Sequence, residues 1–489
     1  MQPPPVDKPC VDLPLELWFE IFQFATYVHR STTLKPMDPF AFRCTSTNVM
    51  ALNTPALSLQ NKIALTGVCK AWRRLAMPLL YQHLVIRSPS RAALILRTLD
   101  QSRQHNHLDA QVSNFGQWTR HIEVFTHARG CSNIKYLQTL FSIFCCCPNL
   151  RILSGTWIHS LPPEFVDAVA SLYGLSLEAL YWNETSERFN RQSGTTLSTS
   201  ATFAFLISFN ALRLLDLRHF KPKDPLGPLL PADAPTRPVL PFVQDLILST
   251  DTWSLSTATH ISMPRLQSLT IKTSIPDETD HFQLGQFLAV HGSSLRSVDL
   301  PLPSPDDELE PDSSLIRRTA KHINPDMFFK DGVCPNLTSI VFPVSSPLLT
   351  AHVHKSLRRI GLRGIRADLL YPERPGSAKG HLEAITPERY PNLDLVQTIG
   401  YLVEADVDSL VKDVFIWWVE KFERQGINLL DGEGVLWKYT EPEATAEESL
   451  WTGHLTSANL PFGPPAKLTA EHYRLLRDPT FVYDSDSDL

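Results

Sequence analysis

The sequence predicts an α/β protein in which a short N-terminal helical unit precedes a long solenoid of repeats built on a parallel sheet. Three observations predict this class. Apolar residues at helical spacing fill much of the first eighty positions, a fixed apolar spacing recurs from about residue 84 onward, and short phrases recur along the chain. Alternating strand-like and helix-like runs favour parallel strands joined by crossover connections.

Composition excludes several classes of protein. Hydrophobic residues make up 43% and charged residues 20% of the 489 positions, which is typical of a folded globular chain. The formal net charge of -6 is small for this length, so neither nucleic acid nor a membrane surface is expected as a partner. The eight cysteines have no disulfide spacing, and no signal or spanning segment is evident. We expect a cytoplasmic or nuclear protein.

The first helical segment covers residues 13–24 and opens with Pro14, which suits the first turn of a helix. Its apolar residues form two stripes at helical spacing. One stripe is Leu17, Ile21 and Phe24, and the other is Trp18, Phe22 and Ala25. The predicted helix is therefore apolar on more than one face.

A second helical pattern follows, and Pro78 is expected to close it. A unit this small can hardly bury so much apolar surface alone, so the following domain or a partner should cover part of it. The first eighty residues are thus predicted to be a docking module. The apolar positions of the second pattern are Leu65, Val68, Trp72, Leu75 and Leu79.

Together these residues resemble the F-box motif. The order of the matching pieces and their place before a repeat region carry the resemblance; the alternative is an ordinary helical cap on the solenoid. The pieces are Leu13-Pro14-x-Glu16-Leu17, Ile21-Phe22 and Val68-Cys69-Lys70-x-Trp72-Arg73-x-Leu75-Ala76.

The resemblance implies a three-helix fold that docks on a Skp-family adaptor and, through it, on a cullin-RING ubiquitin ligase. Leu13 and Pro14 would lie at the contact. The remaining matched residues would divide between that contact and the domain's own packing: Leu17, Ile21, Val68, Trp72 and Leu75. An inserted loop at residues 29–60, similar to loops of fungal F-box proteins, is rich in Thr, Ser, Asn and Pro and is expected to be solvated.

Downstream, apolar residues recur at a first, fourth and sixth position, and the phrase Cys-Pro-Asn-Leu at 147–150 returns at 334–337. The pattern resembles a degenerate leucine-rich repeat; the alternative is a Leu-rich α/β core that repeats the spacing by chance. Unit lengths vary and the usual turn asparagine is missing, so an irregular solenoid is expected. The full matches are Leu177/Leu180/Trp182, Leu212/Leu215/Leu217, Val243/Leu246/Leu248, Leu266/Leu269/Ile271, Leu295/Val298/Leu300, Leu337/Ile340/Phe342 and Leu357/Ile360/Leu362.

These patterns divide the chain into four predicted parts. They are a disordered N-terminus at 1–10, an F-box domain at 11–82 carrying the inserted loop, a repeat domain at 83–430 with a capping helix at about 405–426, and a C-terminal extension with an acidic tail at 431–489. Linkers rich in proline or acidic residues are expected at 221–241 and 301–312.

No catalytic motif, metal-ligand spacing or phosphate-binding loop is evident, so we expect a protein that is not an enzyme and needs no cofactor. In the basic stretch 355–366, Arg359 and Arg363 would share a solvent-facing strand surface and could bind a carboxylate or a phosphorylated substrate segment. The alternative there is a solvated charged strand.

The sequence thus favours the substrate-recognition subunit of an SCF-type cullin-RING ubiquitin ligase, with an unidentified protein substrate bound on the repeat domain. A ligase-independent leucine-rich scaffold is the main alternative. An enzyme with an unrecognised site is the third.

Overall fold

The structure is a computed structural model. It describes residues 13–28, 34, 38–41, 54–105, 114–125, 134–157, 161–184, 202–218, 220, 237–250, 252–272, 281–301, 322–350, 352–366, 370, 377–403 and 409–438. Residues 1–438 form one compact unit and 439–489 a second, none of whose residues is described. The predicted disordered N-terminus, most of both linkers and the acidic tail therefore lie outside the described residues.

Within the described residues, twelve strands form one open sheet whose spatial order is the order of the sequence. Every neighbouring pair is parallel. One parallel strand per unit, added in chain order, is the architecture of a solenoid. The strands are β1 (His83–Ile86), β2 (His121–Phe125), β3 (Ile152–Trp157), β4 (Ala179–Glu184), β5 (Leu214–Asp216), β6 (Asp245–Ser249), β7 (Ser268–Lys272), β8 (Ser297–Asp299), β9 (Ser339–Pro343), β10 (Arg359–Arg363), β11 (Leu395–Ile399) and β12 (Asn428–Leu430).

Three helices precede the sheet, and most of the remaining helices connect successive strands. The first three are α1 (Leu15–Ala25), α2 (Pro55–Val68) and α3 (Lys70–Gln82). The others are α4 (Pro89–His105), α5 (Ile134–Cys146), α6 (Pro163–Tyr173), α7 (Phe203–Ile207), α8 (Thr252–His260), α9 (His281–His291), α10 (Asp326–Phe329), α11 (Ser377–Ala384) and α12 (Ser409–Glu423).

The recurring apolar spacing is confirmed as the inward face of the repeats. In the unit of β7, Leu266, Leu269 and Ile271 are all buried. The register sets Leu269 beside Leu246 of β6 and Val298 of β8, so equivalent positions stack in rows. A chance repetition of the spacing would not bring the same position of each unit into register. The rows join one continuous core between the sheet and its helices.

The Pro-Asn-Leu phrases link neighbouring units through their asparagines. Each asparagine amide donates a hydrogen bond to a backbone carbonyl of the preceding unit. The distances are 2.9 Å from Asn149 to Gln117, 2.8 Å from Asn336 to Ser293 and 2.6 Å from Asn392 to Lys355. The leucine that follows each asparagine is buried. A regular leucine-rich repeat has an asparagine that bonds the turn backbone. Here that asparagine is missing, and these contacts satisfy part of the turn backbone instead.

The N-terminal helices differ from the predicted ones at two points. The helix α2 begins at Pro55, inside the segment 29–60 expected to be a loop, because Thr54 caps it and Pro55 occupies its first turn. Pro78 does not close α3, which continues to Gln82. Burial of Ala76 and Leu79 offsets the local cost of an interior proline, about 3 kcal/mol.

The C-terminal end also extends beyond the predicted cap. The helix α12 lies within the range expected for it, but β12 follows and forms the last strand of the sheet. The compact unit continues to Lys438. There, the Asp431 carboxylate accepts hydrogen bonds from the backbone N–H of Glu433 and Val435 and from Trp437 Nε1. The chain therefore remains ordered by its own contacts past residue 430.

Candidate protein-interaction site

The helix α1 carries its two apolar stripes on different faces. Leu17, Ile21 and Phe24 follow one another at offsets of four and three residues, so they lie on one face, and Trp18 and Phe22 lie on the other. We call the first group the outer stripe and the second the inner stripe. The structure thus allows their roles to be separated.

The inner stripe packs against α3. The Trp72 ring centroid lies 5.0 Å from that of Trp18 and 4.8 Å from that of Phe22, in tilted and edge-on arrangements. Phe22 is 1% exposed and forms a small core with Ala76 and Leu79. Ala25, expected in this stripe, is exposed instead. The three-ring contact gives α1 and α3 their own apolar core.

The outer stripe faces solvent. Leu17 and Ile21 are each 44% exposed and Phe24 is 79% exposed. Apolar side chains that stay exposed contribute no burial free energy to folding. Contiguous exposed apolar surface typically marks a binding site. The outer stripe is therefore the strongest candidate for a contact with another protein.

The start of α1 presents the predicted Leu-Pro corner. Pro14 is exposed and Leu13 is partly buried. The Pro14 carbonyl accepts hydrogen bonds from the backbone N–H of Leu17, at 3.1 Å, and of Trp18, at 3.2 Å. The exposed proline is thus held at the start of the helix.

The remaining matched residues differ in exposure. Val68, at the end of α2, is 60% exposed and remains available. Trp72 and Leu75, on α3, pack against the buried core of Phe22, Ala76 and Leu79. Val68 therefore joins the candidate contact residues, and Trp72 and Leu75 support the fold beneath them.

Sequence reasoning missed three exposed apolar residues of α2. Leu57, Leu59 and Ile63 are 43%, 36% and 54% exposed. Leu57 and Leu59 fall in the segment expected to be a loop and Ile63 lies just beyond it, although the Thr54-Pro55 pair is a helix-start signal that indicates α2. The exposed apolar surface of the unit is therefore larger than α1 alone provides.

Polar contacts fix α2 to the end of α1. The Ser58 hydroxyl donates to the Thr26 carbonyl at 2.6 Å, and the Thr26 hydroxyl donates to the Phe22 carbonyl at 2.7 Å. Lys62 is buried on the same face of α2, and its burial lowers the pKa of its ammonium group. These contacts orient the helices without using the outer stripe.

The two arginines predicted to bind substrate are already engaged. Arg363 forms two contacts with Asp299 of β8, with Nη1 3.0 Å from Oδ1 and Nη2 3.1 Å from Oδ2. The Arg359 Nη1 lies 3.4 Å from the Asp38 Oδ2. Both arginines lie on one face of β10, and each is paired with a carboxylate of this chain.

The inserted segment is also not simply solvated. Three of its described residues contact the sheet face that points away from the helices: Leu34 packs against buried residues there, and Asp38 and Phe40 contact Arg359. No periodic pattern predicts these contacts, because they join points far apart in the chain.

Among the described residues, no group of three or more His, Cys, Asp and Glu side chains is placed to hold a metal ion. The five described cysteines are free thiols. Burial raises the pKa of Cys147 and of Cys334 to about 12. Within the described ranges, no helix has the length and apolar character needed to cross a bilayer.

Comparison with known proteins does not assign this chain to a family. No protein-family model matches the sequence, and no curated protein matches it. One solved structure that does match is described as "Crystal structure of Rad7 and Elc1 complex in yeast". The match covers 77% of this chain and 98% of that chain, at 11% identity and a TM-score of 0.26. A likeness of this size is too weak to assign a fold or a function.

Proposed function

We propose that this chain is the substrate-recognition subunit of an SCF-type cullin-RING ubiquitin ligase. In this proposal the N-terminal helices dock on a Skp-family adaptor, and the solenoid binds a protein substrate. The ligase partners would supply the chemistry of ubiquitin transfer.

The outer stripe is the observation that carries the proposal. α1 and α3 already share a buried core through Phe22 and Trp72, so the exposure of Leu17, Ile21 and Phe24 is not needed for that core. Full burial of one such side chain is worth roughly 1.5–3 kcal/mol, and that free energy is available to a partner. The motif resemblance of residues 13–24 names the kind of partner.

The test is capture of a purified Skp-family adaptor by the full-length chain. Ile21→Asp should weaken capture roughly a hundredfold, because a central apolar contact becomes a buried, unpaired charge. Gln23→Asp is the matched control, since it adds the same charge to an exposed position on another side of α1. Gln23→Asp should leave capture unchanged.

A second variant tests the Leu-Pro corner. Leu13→Ala with Pro14→Ala should abolish capture while α1 persists, because the helix start uses the backbone carbonyl at position 14, which alanine retains. Equal capture by wild type, Ile21→Asp and the double variant would refute the docking role. That result would favour a ligase-independent scaffold.

A further inference from the structure

The sheet face that points away from the helices contains a buried apolar patch. Ile152, Ala179, Leu214 and Ile247 are each no more than 3% exposed, although the inward rows of β3 to β6 use other residues. The register places Ile152, Ala179 and Leu214 side by side on adjacent strands. We call this group the open-face patch.

Leu34 of the inserted segment packs on the open-face patch, together with Tyr181. Aliphatic residues on an open sheet face are costly to expose, so a group that covers them is stabilised there by the hydrophobic effect. Leu34 thus acts as an aliphatic anchor that the chain supplies to its own sheet.

The same segment contacts the sheet a second time, at β10. Asp38 pairs with Arg359 at 3.4 Å, and the guanidinium carbon of Arg359 lies 4.7 Å from the centre of the Phe40 ring. A turn holds the two groups together, since the Asp38 Oδ1 accepts the Phe40 N–H at 3.0 Å. One arginine therefore receives a carboxylate and an aromatic face at once.

The strand of the open-face patch nearest to Arg359 is β6, and it lies four positions from β10 in the sheet, about 19 Å at 4.8 Å per strand. Neither contact involves the helices or their core. The face is therefore built with two separate recognition points, one apolar and one cationic, that one segment of chain engages in sequence.

We infer that the open face is a peptide-binding surface that recognises an aliphatic residue followed, four and six positions later, by an acidic and an aromatic residue. Leu34, Asp38 and Phe40 of this chain occupy these positions in cis. The partner is a protein segment of the same chemistry, which binds by displacing them. Only the description of that partner as a ligase substrate rests on the proposed function.

Occupation in cis weakens binding in trans by a calculable amount. A segment held by a short tether has an effective concentration on the order of 1 mM. If its intrinsic dissociation constant is on the order of 100 μM, the free face is about a tenth of the population, and a competing peptide binds about tenfold more weakly than to an empty face.

The experiment uses the full-length chain and a fluorescent peptide with the sequence of residues 31–43. Leu34→Asp with Phe40→Ala in the protein should release the cis segment, and peptide affinity measured by anisotropy should rise about tenfold over wild type. Adding Arg359→Glu to this opened variant should lower affinity at least tenfold. Arg358→Glu, on the exposed neighbour, is the matched control and should have no effect.

Exchanging the two charges distinguishes a lost contact from misfolding of these variants. A peptide carrying Asp38→Arg should bind the opened Arg359→Glu chain better than the native peptide does, an outcome that unfolding cannot produce. In the otherwise native chain, Asp38→Arg should reduce hydrogen-exchange protection of the Ala41 amide, and Arg359→Glu should restore it. Absence of both rescues, or equal peptide affinity for wild type and the opened variant, would overturn the inference.

The adaptor assay is run on the same proteins. A chain that binds the peptide but captures no adaptor would overturn the proposed function and leave the binding face in place. A chain that captures adaptor but shows no peptide binding in any variant would overturn the binding face and leave the proposed function in place.

Discussion

The indole of Trp18 packs on the indole of Trp72, with ring centroids 5.0 Å apart and ring planes at 50°. This contact joins α1 to α3 on a different face of α1 from the outer stripe. Folding of the N-terminal unit and its binding to a partner therefore depend on different side chains of the same helix. Substitutions can separate the two properties.

Phe22 and Phe24 form a matched pair for that separation. Phe22→Ala should lower the local opening free energy of α1 and α3 by about 3–5 kcal/mol, because it removes a ring that is 1% exposed. Phe24→Ala removes the same ring from a position 79% exposed and should change stability by no more than about 0.5 kcal/mol. Hydrogen exchange of the helix amides measures both. Similar losses of protection in the two variants would contradict the assigned faces.

The asparagine bonds between units make a separate prediction about the solenoid. Asn392→Ala should lower stability by about 1 kcal/mol, because the Lys355 carbonyl loses its side-chain donor. Lys355→Ala keeps that carbonyl and removes only an exposed side chain, so it should be neutral. Chemical denaturation of the two variants compares them, and equal midpoints would show that the bond contributes nothing.

Thiol chemistry should sort the described cysteines into two groups. Cys69 and Cys145 are exposed, whereas burial raises the pKa of Cys146 to about 11 and of Cys147 and Cys334 to about 12. Only thiolates react at a useful rate, so iodoacetamide at pH 8 should modify the first two well before the others. Peptide mass spectrometry gives the order. Early labelling of Cys147 would contradict its burial.

Much of the solenoid is predictable from sequence because its signal is local and repeated. A strand buried on one face needs apolar residues two positions apart. Each unit repeats this spacing, as Leu269 and Ile271 show. The outer and inner stripes of α1 are predictable for the same reason, since helical spacing alone places Ile21 and Phe22 on different faces.

The contacts of the inserted segment are not predictable in this way. Asp38 and Arg359 are 321 positions apart, and no periodicity connects them. A polar segment that contains threonine, asparagine and proline has the composition of a solvated loop, and only the folded sheet supplies the patch on which Leu34 packs. The prediction that Pro78 closes the helix is wrong for a related reason, because tertiary packing outweighs the local cost of proline.

Three buried histidines predict how stability changes with pH. His291, His354 and His381 are buried, and each ring pairs through Nε2 with a backbone carbonyl: Ala258 at 3.2 Å, Cys334 at 2.9 Å and Ser346 at 3.1 Å, respectively. Burial lowers the pKa of all three, and it outweighs the opposing carbonyl bonds.

The sign follows from proton counting. Below about pH 6.5 the unfolded chain protonates these rings while the folded chain keeps them neutral, so the unfolded state binds more protons and stability falls as pH is lowered. Nearby charges differ in direction: Asp331 opposes the lowered pKa at His354, Asp326 opposes it at His381, and Arg237 reinforces it at His291.

We therefore expect the unfolding midpoint to drop between pH 7 and pH 5. His381→Asn should make that drop smaller, because the folded chain then no longer excludes a proton at that position, although it should also lower the midpoint at pH 7 through the lost ring packing against Phe342. His260→Asn is the control, since that side chain is only partly buried. A midpoint that is flat from pH 7 to pH 5, or a slope identical in wild type and His381→Asn, would mean that these rings carry protons in the folded chain as readily as in the unfolded one.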